Sequence, residues 1–192
     1  MRQTQHTPKQ LRLLQLLRER AVIRGEFILS SGQKSNYYID GRLVTLDAEG
    51  SLAVADAIIE KIGNRNVAAV GGLTMGADPI AAAISAISAR DYQEKKLNRM
   101  FRAFLVRKDT KKHGTQKLVE GPLKEGEPVV IVEDVVSTGA SAIQAAESLR
   151  AMNCNIVAVI ALVDREMGGK EAFAAAGLNY EPMFTKTELL ES

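Results

Sequence analysis

Hydrophobic and polar positions follow three different patterns along the chain. Leucines at 11, 14 and 17 recur at helical spacing behind Thr7 and Pro8, a capping residue and a proline at the first helical position, which predicts an amphipathic opening helix. Val22–Leu29 and Asn36–Asp40 are short β-branched or aromatic runs split by SSGQKS, the pattern of a small hairpin. Helical period returns over Glu49–Ile62, with Asp47 near its start. Beyond it, Val67–Val70, Phe101–Val106, Val129–Val132 and Ile156–Val163 are almost continuously apolar. Helical patterns separate them over Pro79–Arg90, with Asp78 placed as the N-cap, and over Ser141–Met152. Strands without polar alternation are buried on both faces, and buried strands separated by helices form a parallel, doubly wound sheet. The fold class is α/β. A helix over Lys170–Ala176, a strand over Tyr180–Phe184 and a last turn opening on the capping box Thr185 to Glu188 complete the chain.

Length and composition narrow this picture only slightly. At 192 residues, 46% hydrophobic and 25% charged, the chain suits a single domain with an appendage and shows no fixed repeat. Apolar runs such as Ile156–Val163 are too short to span a bilayer and the first residues lack the apolar core of a signal peptide, so a cytoplasmic protein is expected. The lone cysteine, Cys154, excludes an internal disulfide and a cysteine-rich zinc site, and reads as a small packing residue. A net charge of +2 gives no argument for nucleic acid or membrane.

Candidate chemistry begins at VVIVEDVVSTGAS, Val129–Ser141, where a buried run meets two adjacent carboxylates, Glu133 and Asp134. Unpaired charge is costly to bury, and ligands of open α/β sheets bind at the carboxyl ends of strands. Ser137, Thr138, Gly139, Ala140 and Ser141 are small or hydroxylic residues just before a helix, a setting in which backbone N–H groups approach a phosphate. The acids suit vicinal hydroxyls or a metal held through them, so the implied ligand is a ribose 5-phosphate; the alternative is a capped helix behind two solvated acids. No GxxxxGK[ST] or GxGxxG occurs, which removes P-loop and dinucleotide readings.

Three further segments carry chemistry. Between Arg107 and Glu120 five Lys or Arg face two acids, in a segment of about twenty residues without regular period. It reads as a lid over a polyanion, with Gly114 giving it freedom, or as a solvated loop. Tyr37 and Tyr38 in the hairpin are core residues or a stacking surface for a planar heterocycle. Arg165, at the carboxyl end of an apolar strand, is placed for bidentate recognition of a carboxylate or carbonyl, or for an ion pair.

Together these segments resemble the orotate phosphoribosyltransferases, within the type I phosphoribosyltransferases, from about Phe27 to Glu166. VVIVEDVVSTGAS is similar to the family's phosphoribosyl diphosphate (PRPP) motif, RKDTKKHG to the catalytic loop of orotate enzymes, and FILSSGQKSNYYID to their N-terminal signature. The resemblance implies a mainly parallel sheet flanked by helices, with a small hood from about residues 1–45 and the C-terminal region, and a mobile catalytic loop over 107–120. It implies that Glu133, Asp134, Val135, Val136, Ser137, Thr138, Gly139, Ala140 and Ser141 hold PRPP, acids at the ribose and Val135 onward at the 5-phosphate. Arg107, Lys108, Lys111 and His113 would meet the diphosphate across a homodimer interface, Arg107, Lys111 and His113 as catalytic groups. Ser137, Arg165, Tyr37 and Tyr38 would meet orotate, and Mg²⁺ would bind mainly through PRPP. Where some members carry lysine this chain has Ser30 and Met75, so no lysine contact is assigned there. The alternatives are a phosphoribosyltransferase for another base and a PRPP-fold regulator.

Overall fold

The computed structural model describes residues 6–28, 34–108 and 117–191. Lys111, His113 and Ser30 lie outside these residues.

The first helix, α1 (Pro8–Leu16), opens as predicted: Thr7 and Gln10 form a reciprocal capping box and Pro8 takes the first position, where no N–H is needed. It continues through a π-helical turn, Leu17–Ala21. The buried stripe is Leu13, Leu14, Leu16 and Leu17, while Leu11, at the stripe's edge, is exposed. His6 ties this end of the chain to its far end, with Nε2 3.1 Å from Glu188 Oε1 and its ring edge on Phe184.

A two-stranded antiparallel sheet follows, β1 (Val22–Ile28) and β2 (Lys34–Ile39), irregular in register between Arg24 and Phe27. The short α2 (Arg42–Thr45), unmarked in the sequence pattern, turns the chain into α3 (Ala48–Ile62). Asp47 caps α3 by accepting from the Gly50 N–H at 2.9 Å.

The main sheet contains β3 (Ala69–Leu73), β4 (Arg102–Val106), β5 (Val119–Glu120), β6 (Pro128–Val136), β7 (Asn155–Asp164) and β8 (Phe184–Thr185). Its order is β5-β4-β3-β6-β7-β8; only the β4/β5 pair is antiparallel. The helices α4 (Ala77–Gln93), α5 (Ala140–Arg150) and α6 (Gly169–Ala175) lie in connections between strands, and α7 (Lys186–Leu190) follows β8. Residues of α1, α3 and α4 pack with Val130, Val132 and Ile160 on one face. Residues of α5, with Phe173 of α6, pack with Val129, Ile131 and Val159 on the other. Burial on both faces explains why these strands lack polar alternation.

Chain direction reverses between β3 and β6. From β3 the chain passes through α4 to β4 on one side; β6, β7 and β8 build outward on the other. The carboxyl ends of β3 and β6 therefore meet at a switch point, where an open α/β sheet leaves a crevice.

Three expectations are corrected. Strand β6 runs four residues past Val132, because its ladder with β7 continues through Glu133↔Ala161, Val135↔Val163 and Val136↔Asp164; backbone pairing is indifferent to the charge of the side chains. Asp78 does not cap α4: the N-cap is Gly76, and Asp78 lies in the first turn. Pro79 therefore marks the first turn rather than the first residue, since several N–H groups there have no intrahelical partner. At the C-terminus the strand is Phe184–Thr185, and Tyr180 contributes a single bridge to Val159. The capping box at Thr185 forms as expected.

Candidate active site

Two backbone segments converge on the switch point. After β3, Thr74 donates from its N–H and its Oγ1 to the Val106 carbonyl, at 2.9 and 3.1 Å, which fixes the loop to the end of β4. Gly76 follows, so close to β6 that a Cβ there would stand 2.6 Å from Asp134 Oδ1 and 3.5 Å from Glu133 Oε2. Both carboxylates thus approach one glycine.

Their environments differ. Glu133 is 5% exposed, and its Oε1 is buried without a hydrogen-bond partner. Burial, with the Asp134 charge adding to it, pushes its carboxyl up to about 8. Asp134 opens on a cavity of about 350 Å³ and accepts from the Val135 N–H at 2.8 Å. Burial also raises its carboxyl, and that hydrogen bond opposes the shift. Arg42 lines the same cavity, held on Asp40 by two bonds of 2.8 and 2.9 Å that keep the Asp40 carboxyl low.

Beyond β6 the chain forms an anion cradle. Gly139 takes φ +81 at the N-cap of α5 and supplies no side-chain cap, so the first N–H groups of an eleven-residue helix face the turn without that partner. A Cβ at Gly139 would lie 2.9 Å from Phe173 Cζ; α6 presses the turn from behind. Thr138, Ala140 and Ser141 are exposed and Val136 is buried in the core, so Val136 offers the site its backbone alone. Even that carbonyl is engaged, accepting from the Arg165 N–H at 2.8 Å.

Three cavities adjoin along these strand ends. The central one is lined by Tyr38, Asp134, Val135 and Ser137. It shares Met75 and Lys108 with a cavity of about 550 Å³ that also touches Thr74, Asp78 and Arg107. It shares Arg165 with a cavity of about 830 Å³ bounded by Phe27, Tyr37 and Lys186. Tyr37 and Tyr38 line different cavities, as neighbours on a strand must. Tyr38 lies against Phe27 at 5.8 Å, and Tyr37 also packs on the core.

Cations occupy both ends of this cleft. Arg107 has a buried Nε without a hydrogen bond, and its Nη1 is 3.9 Å from Glu120. The Lys108 carbonyl accepts from Gln144 at 2.9 Å. Arg165 reaches Ser137 Oγ at 3.4 Å, and its Nε is also buried without a partner. Guanidinium groups lining a cavity suit an anionic or carbonyl-bearing ligand. One cleft thus offers cations, carboxylates, an anion cradle and an aromatic wall in sequence, which is the polarity of a phosphorylated sugar joined to a leaving group on one side and a planar base on the other.

Comparison with known proteins agrees with this architecture. The phosphoribosyl transferase domain family matches residues 46–174. Orotate phosphoribosyltransferase of Synechocystis sp. is 48% identical over 174 residues, covering 90% of this chain and 84% of that protein. The chain belongs to the orotate phosphoribosyltransferase family. Among solved structures, orotate phosphoribosyltransferase of Mycobacterium tuberculosis H37Rv in complex with Fe(III) dicitrate superposes with a TM-score of 0.82 at 36% identity, covering 96% of this chain and 100% of that one. The same enzyme in complex with PRPP gives 0.77 at 34% identity, covering 95% and 99%. The fold is that of the type I phosphoribosyltransferases.

Of the residues with roles implied by this family, the structure brings Asp134, Val135, Ser137, Lys108, Arg107, Arg165, Tyr37 and Tyr38 to the joined cavities. Glu133 stands buried beside them. Asp78, Lys186 and Met167 also line the cleft and carried no such expectation. Asp78 was legible only as a cap, and Lys186 follows Arg165 by 21 residues, a separation with no local signature.

Proposed function

We propose that this chain transfers the 5-phosphoribosyl group of PRPP to orotate, giving orotidine 5′-monophosphate and diphosphate in pyrimidine nucleotide synthesis. The observation that carries the reading is the order of groups along one cleft: Arg107 and Lys108, then Asp134, then the turn before α5, with Arg165 and the tyrosines beyond. The diphosphate would lie at the Thr74–Gly76 side with Arg107 and Lys108, joined by Lys111 and His113. The ribose hydroxyls would donate to Asp134 and Glu133. The 5-phosphate would lie on the N–H groups of Ser137–Ser141. Orotate would enter against Arg165, Ser137, Tyr37 and Tyr38.

No protein nucleophile is needed. As the bond from C1 to the diphosphate breaks, positive charge grows on the ribose and negative charge on the leaving group. Cations held in advance on the leaving-group side, and the Asp134 carboxylate near the sugar, stabilise that separation more than they stabilise the ground state. Lys111 is the main loop contributor in this reading and His113 a proton donor to the departing diphosphate. Among the described residues no three side chains are gathered to hold a metal. Two carboxylates do converge near Gly76, so Asp134, supported by Glu133, would hold Mg²⁺ jointly with PRPP oxygens. The ion neutralises charge on the diphosphate when bound.

The active form in this reading is a single-domain homodimer in the cytoplasm with the 107–120 loop shared between subunits. Exposed Leu43, Leu46 and Met75, at 46%, 72% and 65%, support an apolar interface beside the cleft. No helix among the described residues is long and apolar enough to cross a membrane. The test offers orotate, uracil, adenine and hypoxanthine with PRPP and Mg²⁺. Orotidine 5′-monophosphate formed with equimolar diphosphate is the expected result; no product from orotate refutes the proposal.

A further inference from the structure

The cavity on the hairpin side contains a cation with no role so far. Charged side chains on its wall are Glu26, Lys34, Arg165 and Lys186. Lys34 is exposed at the first position of β2, opposite Ile28, whereas the Lys186 side chain is 30% exposed and held in place. The holding device is Glu166. Its N–H donates to Asp164 Oδ1 at 2.8 Å and its φ is +56, so the backbone turns sharply just after Arg165. Its Oε2 then accepts from the Thr187 N–H at 3.2 Å and Oγ1 at 2.7 Å, and lies 3.5 Å from Lys186 Nζ. The Thr187 hydroxyl, first among these contacts, holds the Glu166 carboxyl below its ordinary value. One residue thus ties the start of α7 to the end of β7 and sets Lys186 and Arg165 on the same wall.

We infer that Lys186 is a specificity-determining residue, the second cation of a pair with Arg165 that selects an anionic planar base over a neutral one. The inference rests on the orotate reading and deepens it. Arg165 lies where the base and sugar cavities meet, lining both, with its Nη1 3.4 Å from Ser137 Oγ. Lys186, a point charge on a flexible stem, lies in the base cavity alone. Phe27 and Tyr37 give that cavity aromatic sides, which lower the local dielectric and lengthen the reach of its charges. A carboxylate on the base gains from both cations. The same ring without one gains from the Arg165 donors only.

The test measures KM for orotate and for PRPP, and orotate binding by calorimetry, in wild type, Lys186→Met and Lys186→Arg, with uracil as the neutral comparison. Lys186→Met is expected to raise KM and Kd for orotate about tenfold, the scale of one charge-assisted contact. KM for PRPP should stay within about twofold and the weak binding of uracil should not change. Lys186→Arg should restore most of the loss and keeps the pairing with Glu166, which separates charge recognition from a structural defect. Unchanged orotate KM in folded Lys186→Met, or equal losses for orotate and uracil, overturns the inference while the transferase reading stands. No turnover of orotate by wild type overturns both.

Discussion

Gly76 and Asp134 approach so closely that a methyl group at position 76 would stand 2.6 Å from the Asp134 Oδ1. The glycine leaves room for the carboxylate to face the cavity, and Asp134 is a short side chain with few ways to yield. Gly76→Ala is therefore expected to turn that carboxylate out of place while the β3–β6 ladder survives. KM for PRPP should rise about tenfold or more, the cost of one misplaced charged hydrogen bond. Melting temperature and circular dichroism should remain near wild type; an unchanged KM refutes the contact.

Glu133 makes stability depend on pH. Its carboxyl titrates near 8 in the folded chain against 4.5 for the free group. The folded state thus keeps a proton that the unfolded state releases, and stability from this group falls as pH rises from about 4.5 to about 8, then levels. Glu133→Gln removes the ionisation. Its melting temperature relative to wild type should rise by about 10 °C between pH 5 and pH 8, on the order of 3 kcal/mol, while PRPP turnover falls. A difference that stays flat across this range contradicts the burial.

Arg107 also separates function from stability. Its Nε is buried without a hydrogen bond, so removing the guanidinium deletes an unsatisfied donor. Arg107→Met is expected to match or exceed wild type in thermal unfolding and yet lose about tenfold or more in kcat/KM for PRPP. A variant that unfolds early with normal kinetics assigns Arg107 to the fold instead.

The proposal that the loop is shared between subunits makes a prediction for mixtures. Lys111→Ala should lower turnover about 100- to 1,000-fold with little change in orotate binding. Mixed in equal amounts with Asp134→Asn chains under subunit exchange, it should recover roughly a quarter of wild-type activity, because each mixed dimer holds one intact site. Ultracentrifugation should show the dimer. A mixture no more active than its parts excludes sharing.

Much of this arrangement can be read from the chain, for physical reasons that also mark where the reading ends. Strands β4, β6 and β7 are legible because burial on both faces demands continuous apolar runs, and VVIVEDVVSTGAS is legible because acids and small hydroxylic residues are out of place in a core. The last four residues of β6 were missed because charge interrupts the apolar run, whereas pairing with Ala161 and Val163 does not depend on it. The chemistry of Asp78 points to an N-cap there and a helix from Pro79, whereas α4 begins at Ala77 with Gly76, packed against Asp134, at the cap. Lys186 carries no signal in the sequence because its neighbour on the cavity wall, Arg165, is brought to it by the Glu166 tie and by no periodicity.

The most direct test of the cleft is a crystal structure with PRPP and Mg²⁺ bound. The expected density has the 5-phosphate on the N–H groups of Ser137–Ser141, the ribose hydroxyls at Asp134 and the diphosphate toward Thr74, Arg107 and Lys108. A ligand bound in the reverse direction, or in the separate cavity around Tyr92 and Leu97 at the far end of α4, contradicts it.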